Sequence, residues 1–307
     1  MYRKFAAFIM TYERPAILRM AIDKLWSQTY PPQKILIVDN SSSYDTQHII
    51  EQISHPHIEY LRVGHNSGPA GAAKIGLQHL ASQGYSWIVW CDDDDPPQFQ
   101  DSFELVLKVA NSRERIGIAG AVGSRFNGST GFLSRLKDNE LSGVVSVDSV
   151  AGGMVMMINA EVIMQGILPD EDLFFGFEEL DFCLRAKQAG YEIIVNGDLS
   201  YRYRKEARRL NLKKGEAYKG WKFTKSKSSL WREYYSTRNF CYIMFYKFKL
   251  PMAVAILVAR VLYKMITGFR VYRSSGFLNC KILFLAGKDA FLKRMGRNDE
   301  IQRLVKS

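Results

Sequence analysis

Four consecutive carboxylates, Asp92-Asp93-Asp94-Asp95, follow directly on Trp87-Ile88-Val89-Trp90-Cys91 and are stopped by Pro96 and Pro97. The apolar run has the composition of a buried strand. Four adjacent acids repel one another and resist burial, so at a strand's carboxyl end they call for a hard cation. A second cluster, Glu178, Glu179 and Asp181, follows the aromatics Phe174, Phe175 and Phe177. Acids in the first turn of a helix complement its dipole. A carboxylate walled by aromatics also has its pKa raised toward that of a general base. A cation-binding group beside a base is the equipment of metal-assisted group transfer.

The flanking elements predict how these residues are positioned. Apolar runs at Phe5–Met10, Lys34–Asp39, Ile58–Val63 and Trp87–Asp92 read as strands, and helical patterns follow each of them. Pro15 suits the first position of the first helix, and Asn40-Ser41-Ser42-Ser43 forms a turn before the second. Strands alternating with helices at this spacing predict a parallel α/β sheet. Thr11, Asp39, Asn66 and Asp92 all fall just after strands, so a parallel sheet gathers them on one edge, where such sheets bind ligands. Further strands are expected at Ile116–Val122, Val144–Val147, Met154–Ile158 and Ile193–Asn196. Residues 123–143 read as a polar, Gly-rich loop, and a helix runs from Glu178 to Gly190.

Composition divides the chain. The 307 residues are 47% hydrophobic, enough for a sizeable core. Residues 1–200 hold 16 Lys/Arg against 25 Asp/Glu, whereas residues 201–307 hold 26 against 6, and the basic part asks for a polyanion. Cys91, Cys183, Cys241 and Cys280 are far apart, with no C-x-x-C pair, and read as free thiols. With no signal-peptide pattern near Met1, a cytoplasmic setting is expected. His48, His55, His57, His65 and His79 all precede the acidic run and read as surface or loop residues.

Taken in order, Met10-Thr11-Tyr12-Glu13-Arg14-Pro15, Ile37-Val38-Asp39-Asn40-Ser41-Ser42, Asn66-Ser67-Gly68-Pro69-Ala70-Gly71, Asp92-Asp93-Asp94, Gly152-Gly153-Met154, Phe177-Glu178-Glu179-Leu180-Asp181 with Arg185, and Tyr234–Asn239 form a pattern. Over residues 5–240 the chain resembles the family 2 glycosyltransferases of GT-A fold. It looks most like the rhamnosyl- and galactofuranosyltransferase-like enzymes of bacterial surface polysaccharide synthesis. The resemblance implies a Rossmann-like mixed sheet as a catalytic domain (1–240) with a helical, basic extension (241–307). It implies inverting transfer from a UDP- or dTDP-sugar to a glycan or lipid-linked glycan. It implies that Thr11, Tyr12, Arg14, Asp39, Asn66, Gly68, Asp92 and Asp93 serve the nucleotide sugar, and that Asp92 and Asp94 hold Mn2+ or Mg2+. Asp93 and Asp95 also have a structural reading, one facing the sheet edge and the other solvent. Glu179 matches the base position, with Glu178 and Asp181 as alternatives because the commonest pattern has Asp there. Gly152, Gly153, Trp231 and Arg238 are assigned to the acceptor side. Many relatives place a metal-binding His after the strand that follows the base helix; here that region reads Leu199-Ser200-Tyr201-Arg202-Tyr203-Arg204. The metal is then left to fewer protein ligands, with water or phosphate completing its shell.

Other functions fit less well. A sugar-nucleotide nucleotidyltransferase needs a Gly-rich loop where Thr11–Pro15 stands, and no P-loop motif exists. A non-catalytic carbohydrate- or nucleic-acid-binding protein is the rival of a different class. Residues 201–227 interleave basic residues with Tyr201, Tyr203, Tyr218, Trp221 and Phe223, a mixture that suits nucleic acid or a membrane interface. The apolar run from Leu250 is too short to span a bilayer before Arg260. Arg260, Lys264 and Thr267 form one polar stripe on an apolar helix, suited either to packing on the catalytic domain or to lying on a membrane. With the family resemblance, an anionic membrane surface is the expected partner, and nucleic acid is not.

Overall fold

The computed structural model of the chain describes residues 4–211, 225–249 and 253–306. The chain forms two compact units. One comprises Met1–Arg125, Ser134–Asp170 and Glu179–Leu210; the other comprises Phe126–Leu133, Glu171–Glu178 and Asn211–Ser307. The expected boundary near residue 240 therefore falls differently, because the helix before it packs within the second unit.

In chain order the elements are β1 (Phe5–Thr11), α1 (Pro15–Trp26), β2 (Ile35–Asp39), α2 (Asp45–Ile53), β3 (Ile58–Arg62), α3 (Gly68–Ser82), β4 (Trp87–Asp92), α4 (Ser102–Ala110) and β5 (Ile116–Gly120). Then come β6 (Gly123–Phe126), β7 (Leu133–Arg135), β8 (Val144–Ser146), β9 (Ser149–Val150), β10 (Met156–Asn159), α5 (Ala160–Met164), α6 (Glu178–Gln188), β11 (Glu192–Asn196) and α7 (Gly197–Glu206). The remaining helices are α8 (Leu230–Tyr242), extended by a π turn over Ile243–Lys247, α9 (Ala253–Tyr272), α10 (Gly276–Phe291) and α11 (Asp299–Lys306). Residues 123–143 are thus more ordered than a loop, since β6 pairs with β9 and β7 in a small ribbon.

Eight strands form the main sheet in the order β3-β2-β1-β4-β10-β5-β11-β8. β1 lies parallel to both β2 and β4, whereas β10 runs antiparallel between β4 and β5. The sheet is mixed, and its first four strands point their carboxyl ends the same way. Alternation sorts the core. Ala6, Phe8, Ile88 and Trp90 face one side, with Leu77 of α3 and Phe182 of α6. Phe5, Ala7, Ile9, Trp87 and Val89 face the other, with Leu18 and Ile22 of α1 and Phe103 of α4. Strands buried on both faces read as continuous apolar runs, which is why β1, β2 and β4 are plain in the sequence. Gly76 lets α3 close on the sheet, because a Cβ there would stand 2.6 Å from the Phe8 ring.

The second unit is helical. Its core joins Leu230, Tyr234 and Tyr235 of α8 with Ile282 and Ala286 of α10 and Ile301 of α11. No helix among the described residues is long and apolar enough to cross a membrane.

Candidate active site

The carboxyl ends of β1, β2 and β4 bring together the residues expected there. Thr11 ends β1 and its hydroxyl donates to Asp93 Oδ2 at 2.8 Å. Arg14 Nη1 donates to Asp93 Oδ1 at 3.2 Å and to Asp94 Oδ2 at 2.6 Å. Asp93 is buried, while the Asp94 side chain keeps 53% of its surface exposed. Asp95, expected with Asp93 to divide between sheet edge and solvent, is half-buried, and it is Asp94 that faces solvent. Asp39 ends β2 with both oxygens held: Ser41 N donates to Oδ1 and the Tyr60 hydroxyl to Oδ2, each at 2.8 Å. Asn66 Oδ1 accepts from Gly68 N at 3.0 Å, fixing the turn into α3, and Gly68 itself has φ 71°. Tyr12 is exposed at the same edge.

A second floor of the site comes from Gly152 and Gly153. A Cβ on Gly152 would lie 3.0 Å from Glu179 Oε1, and one on Gly153 would lie 3.0 Å from Asp95 Oδ2 and 3.1 Å from Asp92 Oδ2. Bare backbone here lets three carboxylates close in. Val155 carries the chain out of this turn at φ 140°, a costly conformation for a β-branched residue and of a kind that clusters at functional sites.

Crowding shapes the electrostatics. Burial, followed by repulsion from Glu179, Asp94, Asp93 and Asp95, pushes the Asp92 carboxyl up to about 8. Burial also raises Glu179, partly offset by its own amide and that of Gly152. Burial raises Asp93 despite the bonds from Thr11 and Arg14. The bond to Asp94 raises the Arg14 guanidinium. A surplus of negative charge at one point, ligated only by oxygen, fits a hard divalent cation. Among the described residues no three His, Cys, Asp or Glu side chains form a metal cage, so Asp92 and Asp94 can supply only part of a coordination shell. His48, His55, His57 and His65 are exposed, and His79 pairs with Glu59.

Other expected residues are engaged elsewhere. Asp181 is fully buried and accepts from Arg185 Nε at 2.9 Å and from its Nη2 at 2.7 Å, so an ion pair already occupies it. Glu178 is buried as well. Arg238 is a correction: it is 0% exposed, and its guanidinium bonds the carbonyls of Gly296 at 2.6 Å and Leu173 at 3.0 Å. It holds the second unit together and has no face to offer an acceptor. Trp231 packs against Phe175 in that same unit, ring centres 4.7 Å apart and planes tilted by 58°. In the basic stretch after 200, Arg202 pairs with Asp101 and Arg204 with Asp138, so these guanidinia are tied down within the first unit. Tyr218, Trp221 and Phe223 lie outside the described residues.

Residues 6–145, which include every strand-end residue above, match Glycosyl transferase family 2. The chain carries a family 2 glycosyltransferase domain. Among curated proteins it is similar to the galactofuranosyltransferase GlfT1 of Mycobacterium tuberculosis (strain CDC 1551 / Oshkosh), 35% identical over 91 residues that make up 29% of each chain. It is also similar to the dTDP-rhamnosyl transferase RfbF of Shigella flexneri, 24% identical over 174 residues, 54% of this chain and 57% of that one. The match thus spans under a third of GlfT1's length and little more than half of RfbF's. Among solved structures, GalNAc-T7 with UDP, GalNAc and Mn2+ superposes with a TM-score of 0.53 at 16% identity, over 64% of this chain and 42% of that one. S. aureus TarS 1–349 in complex with UDP gives 0.51 at 13% identity, over 94% of this chain and 92% of that one. The glycosyltransferase domain has the GT-A fold with a helical C-terminal part.

Tyr60 and Val155 were not singled out by the sequence, and Ser41 and Asp95 were named only as turn and structural residues. Tyr60 had a usable signal in lying on the strand run Ile58–Val63, and the structure sets it in register with Ile37, two residues before Asp39.

Proposed function

We propose that the chain is an inverting, metal-dependent glycosyltransferase. It moves a sugar from a UDP or dTDP donor, such as UDP-galactofuranose or dTDP-rhamnose, to a hydroxyl of a glycan or lipid-linked glycan in cell-surface polysaccharide synthesis. One observation carries this reading: Glu179, Asp92 and Asp95 converge on the bare backbone of Gly152 and Gly153, at the sheet edge that also presents Thr11, Asp39 and Asp94. RfbF is named as a dTDP-rhamnosyl transferase and GlfT1 as a galactofuranosyltransferase, which is why these donors come first.

Asp39, held by Ser41 and Tyr60, orients the nucleoside, with Tyr12, Thr11, Asn66 and Gly68 shaping its pocket. Arg14 and Asp93 form the wall beside the diphosphate. Asp92 and Asp94 would hold Mn2+ or Mg2+, which neutralises charge on the departing diphosphate. Glu179, raised by burial, is the base in preference to Asp181, which Arg185 occupies. As the acceptor oxygen forms its bond to the anomeric carbon, Glu179 takes the hydroxyl proton and the bond from that carbon to the diphosphate oxygen breaks. One displacement inverts the configuration. Gly152 and Gly153 leave room for the acceptor beside Glu179.

A lipid-linked acceptor and the basic C-terminal part support a site of action on the cytoplasmic face of a membrane. The test is transfer of labelled sugar from UDP and dTDP donors with Mn2+. Loss in both Asp94→Ala and Glu179→Ala supports the reading, and full activity in both overturns it.

A further inference from the structure

Helices α9 and α10 turn several polar side chains inward and leave large apolar ones exposed. On α9, Lys264 turns inward, where Nζ donates to Glu233 Oε2 at 3.0 Å and to Thr237 Oγ1 at 2.9 Å. Arg260 also turns inward, its guanidinium 4.1 Å from the centre of the Phe240 ring. Val254, Val258, Leu262 and Ile266, four residues apart, are exposed, as are Tyr263 and Phe269. On α10, buried Asn279 donates to the Lys264 carbonyl at 3.2 Å, and buried Asp289 accepts from the Tyr234 hydroxyl at 2.6 Å. Phe277, Phe284 and Phe291, seven residues apart, are 80%, 64% and 69% exposed. Of eighteen exposed large hydrophobic residues among those described, ten lie between Val254 and Leu292. A surface helix in water keeps its apolar side chains inside; α10 packs Ile282 and Ala286 into the core, yet it and α9 leave a further apolar stripe facing out.

Between α9, α10 and the π turn lies a groove of about 400 Å3, walled by Phe245, Leu257, Val261, Met265, Leu283 and Phe284. Its size is that of a small-ligand site. Lys288 is the charged residue in its wall. The surroundings are cationic: residues 241–297 contain eleven Lys/Arg, nine besides the inward Arg260 and Lys264, and a single acid, Asp289, which is engaged inside. Lys293 Nζ stands 4.5 Å from the Tyr246 ring and Lys247 Nζ 5.8 Å from the Tyr242 ring. Tyrosines with lysines beside an apolar face match the headgroup level of a bilayer.

We infer that α9 and α10 form a monotopic docking element for a bilayer carrying acidic phospholipids. The exposed valines, leucine and phenylalanines enter the acyl layer, one lipid chain occupies the groove, and the lysines and arginines meet the phosphates. Neither helix crosses the bilayer. The inference rests on the membrane placement proposed above and supplies its surface and its lipid.

The test is sedimentation of the full chain with vesicles of phosphatidylglycerol and phosphatidylcholine, against vesicles of phosphatidylcholine alone. V258D/F284D should lower partitioning onto the acidic vesicles by about tenfold or more, and K288E/K293E should abolish the preference for the acidic lipid. Both positions of the first pair are exposed, so its circular dichroism and urea midpoint should match the parent; F277D, at another exposed position, repeats the reading should that pair misfold. Parent-like vesicle binding by V258D/F284D and F277D overturns the inference. So does a parent that ignores vesicles and instead forms a dimer that V258D/F284D abolishes, which would make this face a self-association surface. Transfer to a water-soluble glycan should be the same in parent and V258D/F284D. A parent that binds vesicles yet transfers no sugar to any acceptor fails the functional reading and leaves the docking element standing.

Discussion

The two units distribute charge in opposite ways. In the first, apolar side chains fill both faces of the sheet and the carboxylates Asp92, Asp94, Asp95 and Glu179 gather at its edge, with Asp94 open to solvent. In the second, Glu233, Lys264, Arg238 and Asp289 lie inside while phenylalanines stand outside. Charges collected at an edge and crowded against each other are poised for ligand and chemistry. Charges paired inside a helical bundle are structural, and what faces out is free to meet an apolar medium. The difference predicts that charge removal costs activity in one unit and stability in the other.

The largest effect is expected at Glu179. Glu179→Gln keeps the shape and removes the base, so kcat should fall about 10²- to 10⁴-fold with little change in the urea midpoint. Steady-state kinetics with the labelled donor reads this. A matching fall in stability would place Glu179 with the structural charges and erase the contrast.

Next comes the partly buried ion pair of the second unit, Glu233 with Lys264. Removing Lys264 leaves Glu233 to Lys225 and the Tyr272 hydroxyl alone, so Lys264→Met should destabilise by about 1.5–3 kcal/mol in urea unfolding. Replacing both in E233L/K264M should recover part of that loss, since the charge left over, on Lys225, reaches water. The pair also carries an acid signature. Burial alone would raise Glu233, but Lys264 and Lys225 outweigh it and hold the carboxyl at about 2, against an ordinary 4.5. A depressed carboxylate stabilises the fold above its unfolded pKa. The contribution, about 3 kcal/mol, should therefore be complete above about pH 4.5 and drain away as the pH falls toward 2. Urea midpoints measured down that range should drop less steeply in E233L/K264M than in the parent.

How much of this was legible in the sequence depends on what had to be known. β1, β2 and β4 were plain because double-sided burial leaves unbroken apolar runs, and a parallel sheet then aligns Thr11, Asp39 and Asp92 without further information. The approach of Gly152 and Gly153 to Glu179 and Asp92 was not readable as geometry, since it depends on β10 entering antiparallel between β4 and β5. The stripe of Arg260, Lys264 and Thr267 was visible, but periodicity does not say which side of a helix faces out. Only Glu233 and Phe240, brought by α8, turn it inward. Arg238 looked like a functional cation for a similar reason: the carbonyls that use up its donors come from Leu173 and Gly296, distant in sequence.

The smallest effect probes a place where the first unit, as at Asp181 and Arg185, uses a tie of the second unit's kind. Tyr60 donates to Asp39 Oδ2, and burial together with the contact with Asp39 pushes the phenol well above its ordinary pKa, so it remains a donor at neutral pH. Tyr60→Phe leaves that buried oxygen short of a partner, a loss of about 1–3 kcal/mol in stability. If Asp39 orients the nucleoside, the freed carboxylate also samples other rotamers, and the donor's KM should rise several-fold. The kcat should hold, because Tyr60 touches neither Glu179 nor the acidic run. An unchanged KM with the stability loss intact would make Asp39 a structural anchor like Arg238, and the nucleoside would then have to be held by Tyr12 and the turn at Asn66.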